Sequence, residues 1–236
     1  MPQGFPLDRG RRRSYYLAMG AGLAVLGCQP STTHIAPQGL RPQPPAVVRD
    51  WVHEVRPAAP TRIDLRWRFT NQQGSAAGRA VVRYQGPDTL RFDFRAPFGR
   101  SGAALFVGPE MVWAAPADQL ADLVPTAPLF WVSVGMPLDP SDGAGVSGLR
   151  RGTTRAWRYV EATDTLDVVW QPEAALLTGE FRRAGRTIGT TEVQYDSAGH
   201  PATAELRFPG QAARLNFRFE AVATVDAFGP EVWQRP

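Results

Sequence analysis

The 236-residue chain carries 26 basic and 22 acidic residues, a net charge of +4, and a single cysteine. One thiol cannot form an internal disulfide, so the fold must be stable without one. All 26 basic residues are arginine, and residues 1–27 hold four of them together with one aspartate. The remaining 209 residues therefore carry 22 basic and 21 acidic groups, a net of +1. That near balance removes the electrostatic footprint of nucleic-acid binding.

Arg9, Arg11, Arg12 and Arg13 precede an uncharged apolar run from Tyr15 to Gly27. A basic segment, a short apolar segment and a small residue at the cut describe an export signal. The run falls well short of the roughly 20 apolar residues of a spanning helix. Val25-Leu26-Gly27-Cys28 resembles the lipobox of bacterial lipoproteins, in which the cysteine is acylated after cleavage. A lone cysteine is most often a buried structural residue. This one instead sits between the apolar run and a Pro-rich stretch. Residues 1–27 are therefore expected to be a lipoprotein signal peptide and Cys28 the lipidated first residue of the mature chain. Arg12-Arg13-Ser14-Tyr15-Tyr16-Leu17 also loosely resembles a twin-arginine signal, so the export route stays open between the two systems.

From residue 28 to residue 46 the sequence is rich in Pro, Thr and Gln, the composition of an extended tether. Residues 47–236 are expected to form one domain. Val47, Val48, Trp51 and Val55 fall on one side of a short helix, Val47 to Val55. The pattern then changes to period two. Ile63, Leu65, Trp67 and Phe69 alternate with Arg62, Asp64, Arg66, Arg68 and Thr70, as in a strand buried on one face. Asn71 to Ser75 reads as a turn, Arg79 to Tyr84 as a second strand and Leu90 to Arg95 as a third. Further strands are expected at Ala103 to Val107, Met111 to Ala114, Arg155 to Val160 and Leu166 to Trp170. Four more follow at Leu177 to Arg183, Thr187 to Tyr195, Ala202 to Phe208 and Arg214 to Phe219. Short strands with Gly, Pro and Asp punctuation, polar on one face, predict a single antiparallel sheet.

Asp118 to Gly135 breaks the alternation with helical spacing. Pro128 suits a helix start and Gly135 its end. The expected fold is all-β with a small helical insert: one curved antiparallel sheet forming an incomplete, half-open β-barrel with a helical plug.

The sequence carries no catalytic constellation. Its histidines, His34, His53 and His200, sit in no nucleophile–base motif. No cluster has metal-ligand spacing, and Asp139 to Gly145 lacks the alternating ligands of a calcium loop. No phosphate-binding loop is present. The chain is read as a non-enzyme without cofactor or metal.

The residues expected on the inner face are large and aromatic: Trp67, Phe69, Phe92, Phe94, Trp113, Trp157, Trp170, Phe208, Phe217 and Phe219. Such a face either fills a core or lines a cavity, and composition does not separate the two. Ala96-Pro97-Phe98-Gly99 places Phe98 on a turn tip after the third strand, where it packs on its own domain or meets a membrane or acyl chain.

A Trp-containing first strand, Gly78-Arg79 opening the second and a Pro-apolar-Gly turn after the third resemble the LolB family of outer-membrane lipoprotein receptors. Leu129-Phe130-Trp131-Val132-Ser133-Val134-Gly135-Met136-Pro137 is similar to that family's apolar helix. The likeness covers Ile63 to Asp139. It implies a helix-closed half-barrel whose cavity takes acyl chains, lined here by Trp67, Phe69, Phe92, Phe94, Trp113, Phe130 and Trp131. Phe98 matches the exposed aliphatic residue of the family's protruding loop, with an aromatic in its place. On this basis the protein is expected to be a lipid-anchored periplasmic carrier that passes acyl chains of lipoproteins or lipids to the outer membrane. Its partners would be acyl chains or lipids, other lipoproteins and a periplasmic carrier, with the membrane reached through the lipid anchor. Gln29 follows the lipidated cysteine, where Asp marks inner-membrane retention in enteric bacteria, so the expected location is the outer membrane, facing the periplasm. The alternative is a non-enzymatic scaffold or assembly lipoprotein of the cell envelope.

Overall fold

A computed structural model of the protein describes residues 34–97, 101–117, 124 and 126–236. The expected export signal, Cys28, Gln29, the tip residue Phe98 and residues 118–123 and 125 of the expected helical insert lie outside the described residues.

Among the described residues, thirteen strands make one sheet. They begin with β1 (Arg41–Pro42), β2 (Thr61–Asn71), β3 (Gly74–Gln85) and β4 (Thr89–Arg95). Next come β5 (Ser101–Val107), β6 (Glu110–Ala115), β7 (Gly145–Arg151), β8 (Thr154–Glu161) and β9 (Asp164–Gln171). The last four are β10 (Leu176–Arg183), β11 (Arg186–Tyr195), β12 (Pro201–Phe208) and β13 (Ala213–Thr224). The order across the sheet is β1-β7-β8-β9-β10-β11-β12-β13-β2-β3-β4-β5-β6. All twelve pairings are antiparallel. The terminal strands β1 and β6 do not meet, so the sheet is an open half-barrel with a helical insert, as its alternation predicts.

The inner face follows the period-two pattern. Ile63, Leu65 and Trp67 of β2 are buried, as are Ala80, Val82 and Tyr84 of β3 and Leu90, Phe92 and Phe94 of β4. Helix α1 (Pro45–Val55) starts with proline in its first turn and buries Val48, Trp51 and Val52. Helix α2 (Ala127–Ser133) lies on the connection from β6 to β7 and packs against β9, β10, β11, β12 and β6. Six of its seven residues are buried, Pro128 sits in its first turn, and Gly135 follows its end at φ +78°. Positive φ at the residue closing a helix is the ordinary glycine stop. Close approach to the sheet depends on Gly189 of β11, where a Cβ would lie 2.8 Å from Leu129 Cδ2 and 2.9 Å from Phe208 Cδ1.

Three findings differ from the sequence reading. Strand β7 has no counterpart in the sequence reading, which assigns no element to residues 146–151. Strand β3 starts at Gly74: Asn71 Oδ1 accepts the Gln73 and Gly74 amides at 2.9 and 3.1 Å, giving a tight Asn turn in place of a longer loop. The third concerns the stretch read as a tether, whose residues 34–44 lie against the sheet. Arg41 and Pro42 pair with β7. Upstream, His34 Nδ1 stands 3.1 Å from Glu180 Oε1, the Ile35 amide donates to Oε2 at 3.3 Å and the Thr187 hydroxyl donates to Oε1 at 2.7 Å.

Two tests follow from this packing. Phe130 is fully buried at the centre of the core, so Phe130→Ala is expected to cost about 3–5 kcal/mol in denaturant melts. A loss below about 1 kcal/mol would mean that α2 does not close the core. The second test uses pH. Burial pushes the Glu180 carboxyl up, but the Thr187 hydroxyl, His34 and the Ile35 amide more than offset it, and its pKa ends below the ordinary glutamate value. A carboxylate depressed on folding contributes stability that is present above its unfolded pKa and is lost as pH falls through the folded value. The contact at Ile35 should therefore hold at neutral pH and open only as pH falls below the ordinary glutamate range. Hydrogen exchange at the Ile35 amide reads this; protection that persists at pH well below that window, or in Glu180→Gln at neutral pH, would contradict it.

Candidate functional site

Most of the aromatic residues expected to line a cavity instead fill the core. Phe130 of α2 reaches the concave face, 5.1 Å from Phe92, 5.1 Å from Phe106 and 6.1 Å from Phe217, centroid to centroid. Trp67 meets Phe94 edge-on at 5.9 Å, and Tyr84 meets Trp131 edge-on at 6.2 Å. Trp131 donates its indole N–H to the Gly108 carbonyl at 2.8 Å, and Trp67 to that of Arg79 at 3.3 Å. Phe69 is half-buried against this cluster. Trp113 is on the opposite face. Met111 pairs with inward Phe106 and Trp113 with Leu105, so Val112 is an extra residue that reverses the alternation. Its ring stacks under the outward Arg91 guanidinium at 5.4 Å.

The open space lies elsewhere, at one end of the half-barrel. A cleft of about 570 Å³ is bounded by the β3–β4 turn, the β5–β6 turn, the start of α2, residues 138–141, the β8–β9 hairpin and the end of β10. Its floor is apolar: Met111, Val124, Ala127, Leu138, Leu166 and Phe181. These come from segments far apart in sequence, and inward parity marks only Met111, Leu166 and Phe181 in advance. The volume falls within the range of small-ligand sites, about 300–1,000 Å³.

Its rim is acidic, with Asp88, Asp139, Glu161 and Asp164 against Arg183. Arg183 is engaged by Asp164 through a fork of 3.0 and 2.8 Å, and that guanidinium holds the Asp164 carboxyl below the usual carboxylate range. Asp139 accepts from buried Arg56 at 2.9 Å, and Arg56 also donates to the Pro87 carbonyl at 3.0 Å. His53 Nε2 is 3.6 Å from the other Asp139 oxygen. Tyr159, whose hydroxyl donates to the Leu138 carbonyl at 3.1 Å, is pushed up in pKa by burial and stays neutral. The Arg56 bonds and the Tyr159 bond thus fix residues 138 and 139 between the two wings of the sheet and shape the cleft wall. Ser141 donates to Glu161 at 3.1 Å across the mouth.

Among the described residues no three His, Cys, Asp or Glu side chains converge to hold a metal ion. His34 and His53 each face a carboxylate. Among the described residues no helix is long and apolar enough to cross a membrane. The arrangement offers an apolar slot with a negatively charged mouth, suited to holding a hydrocarbon chain whose head stays at the rim.

No protein-family profile matches the chain, and no curated protein matches it in sequence. Solved structures do match in shape. A LolA superfamily protein from Nitrosomonas europaea superposes with a TM-score of 0.55 at 9% identity, over 80% of this chain and 97% of that one. A domain named for outer membrane lipoprotein sorting, from Vibrio parahaemolyticus, gives 0.47 at 9% identity over 80% and 95%. A DUF1329 family protein from Desulfovibrio piger gives 0.42 at 8% identity over 80% and 94%. The chain thus has a LolA-like fold, the open half-barrel that its resemblance to LolB implied.

Proposed function

We propose that the protein is a lipid-anchored carrier of the cell envelope that accepts an acyl chain in the cleft and passes it to the outer membrane. The observation that carries this reading is the apolar floor of the cleft at the mouth of a LolA-like half-barrel. No bond is made or broken. Binding draws on the roughly 0.8 kcal/mol gained per buried methylene, so about eight methylenes correspond to a dissociation constant in the tens of micromolar. The four rim carboxylates disfavour an anionic head. A neutral one, such as the diacylglyceryl group of a lipoprotein, suits the mouth better.

The reading includes cleavage after Gly27 with lipidation of Cys28, a location at the outer membrane facing the periplasm, and membrane or acyl contact by Phe98. The filled core around Phe130 favours a second reading, a non-enzymatic scaffold lipoprotein that presents its surfaces to proteins.

Mass spectrometry of lipids co-purified with the full chain carrying Cys28→Ser separates the two. The carrier reading expects an acyl lipid in stoichiometric amount, lost when Met111→Trp narrows the cleft. No lipid in either preparation, or equal lipid in both, sinks it. For the anchor, Cys28→Ala is expected to abolish detergent partitioning of the mature protein; unchanged partitioning and mass would remove the assignment. Phe98→Ala should shift stability by less than about 0.5 kcal/mol while slowing delivery of a lipoprotein to vesicles. A large stability loss with unchanged delivery would make Phe98 structural.

A further inference from the structure

We propose that the outer face of β13, β2, β3 and β4 docks onto the phosphate head groups of an anionic membrane surface. The evidence is the register. Arg218 lies directly opposite Arg66, Arg66 opposite Arg79, and Arg79 opposite Arg95. Four guanidinium groups from four adjacent strands thus stand in one row, and with strands about 4.8 Å apart the row is roughly 15 Å long. A second row, Arg62, Arg83 and Arg91, runs parallel to it.

The two rows differ in their partners. Asp64 binds Arg62, and Asp93 binds both Arg83 and Arg91. Carbonyls of Val232 and Gln234 take more of the Arg91 guanidinium. In the first row Arg66 has Glu220, while Arg79, Arg95 and Arg218 make no ion pair among the described residues. The side chains of all four are exposed. Arg79 and Arg95 border a shallow groove of about 740 Å³ on this face.

Like charges placed directly opposite across strands destabilise a sheet. Elsewhere on the outer face that cost is relieved: Arg207 stands opposite Arg214, and Glu205 binds both. In the first row only Arg66 has such relief, from Glu220. A guanidinium is planar, permanently charged and weakly hydrated, and its fork matches phosphate oxygens. An extended row of exposed forks, with no enclosing pocket, fits a surface of phosphates better than a single small anion. Basic side chains near an anionic bilayer are drawn to it in this way.

The test uses the mature chain from residue 28 onward carrying Cys28→Ser, sedimented with vesicles of phosphatidylglycerol mixed with phosphatidylcholine and with phosphatidylcholine alone. Binding should favour the anionic vesicles and fall with added salt. Arg79→Gln, Arg95→Gln and Arg218→Gln together should weaken it by roughly a hundredfold, about fivefold per arginine. The same variant should melt no lower than the parent, because like-charge contacts are relieved. A control with Arg150→Gln, Arg186→Gln and Arg207→Gln removes the same net charge elsewhere and should bind nearly as well as the parent. Binding that ignores phosphatidylglycerol, survives the first triple substitution or falls equally in the control overturns the proposal. So does displacement from vesicles by millimolar inorganic phosphate, which would mark a single-anion site. Cleft occupancy plays no part in this readout, so its failure and that of the carrier reading are separable.

Discussion

The insertion of Phe130 into the concave face is the contact on which the rest of the structure depends. A curved antiparallel sheet that does not close leaves one apolar face to be covered. A seven-residue helix would be marginal alone, since helix nucleation is costly and so short a helix repays little of it. Held by the β6–β7 connection, it brings together aromatic residues from both wings: Phe92 and Phe106 on one side, Phe217 on the other. Two polar groups that enter with it are satisfied inside the core. Ser133 donates to the Phe130 carbonyl at 2.7 Å and Trp131 to Gly108 at 2.8 Å. The cleft is a consequence of this arrangement: α2 and residues 138–141 hold the wings apart at one end, and the space left there is floored by whatever faces inward.

The sequence exposed this fold wherever alternation ran unbroken. β2 and β4 keep strict period two, and their inner residues are all found inside. The reading weakened where a bulge shifts the period. Val112 reverses β6 and carries Trp113 to the outer face. Glu220 does the same in β13, which runs on to Thr224 with Val222 returned to the inside. Strand β7 was hidden for a different reason. Its Gly148 reads as a loop residue, yet a Cβ there would lie 2.6 Å from the Trp51 ring of α1. That glycine marks a close approach of helix to strand, which no local pattern discloses.

The two surfaces that bear on function were harder to see, because both depend on what lies beside what. Each arginine of the outer row was visible as the polar half of an alternating strand. Their alignment across β13, β2, β3 and β4 is a property of register, set by turns and bulges far from the row. The cleft is more hidden still. Met111, Leu138, Leu166 and Phe181 carry no shared signal, and the aromatic residues that looked most like a lining were consumed by the core.

The placement of these surfaces constrains how a carrier of this shape would operate. β4 runs from the mouth, where Asp88 lines the cleft, to Arg95 at the end of the arginine row. Seven residues of extended chain separate them, roughly 23 Å. On the proposed reading, a protein docked by its arginine row therefore sets its acidic mouth to one side, roughly 23 Å along the strand from the phosphates that hold it. That orientation suits acceptance of a cargo arriving from the aqueous side, since the rim carboxylates also repel the anionic surface. Release into the bilayer then requires the domain to turn, and a docking made of exposed, salt-screened contacts is weak enough to let it.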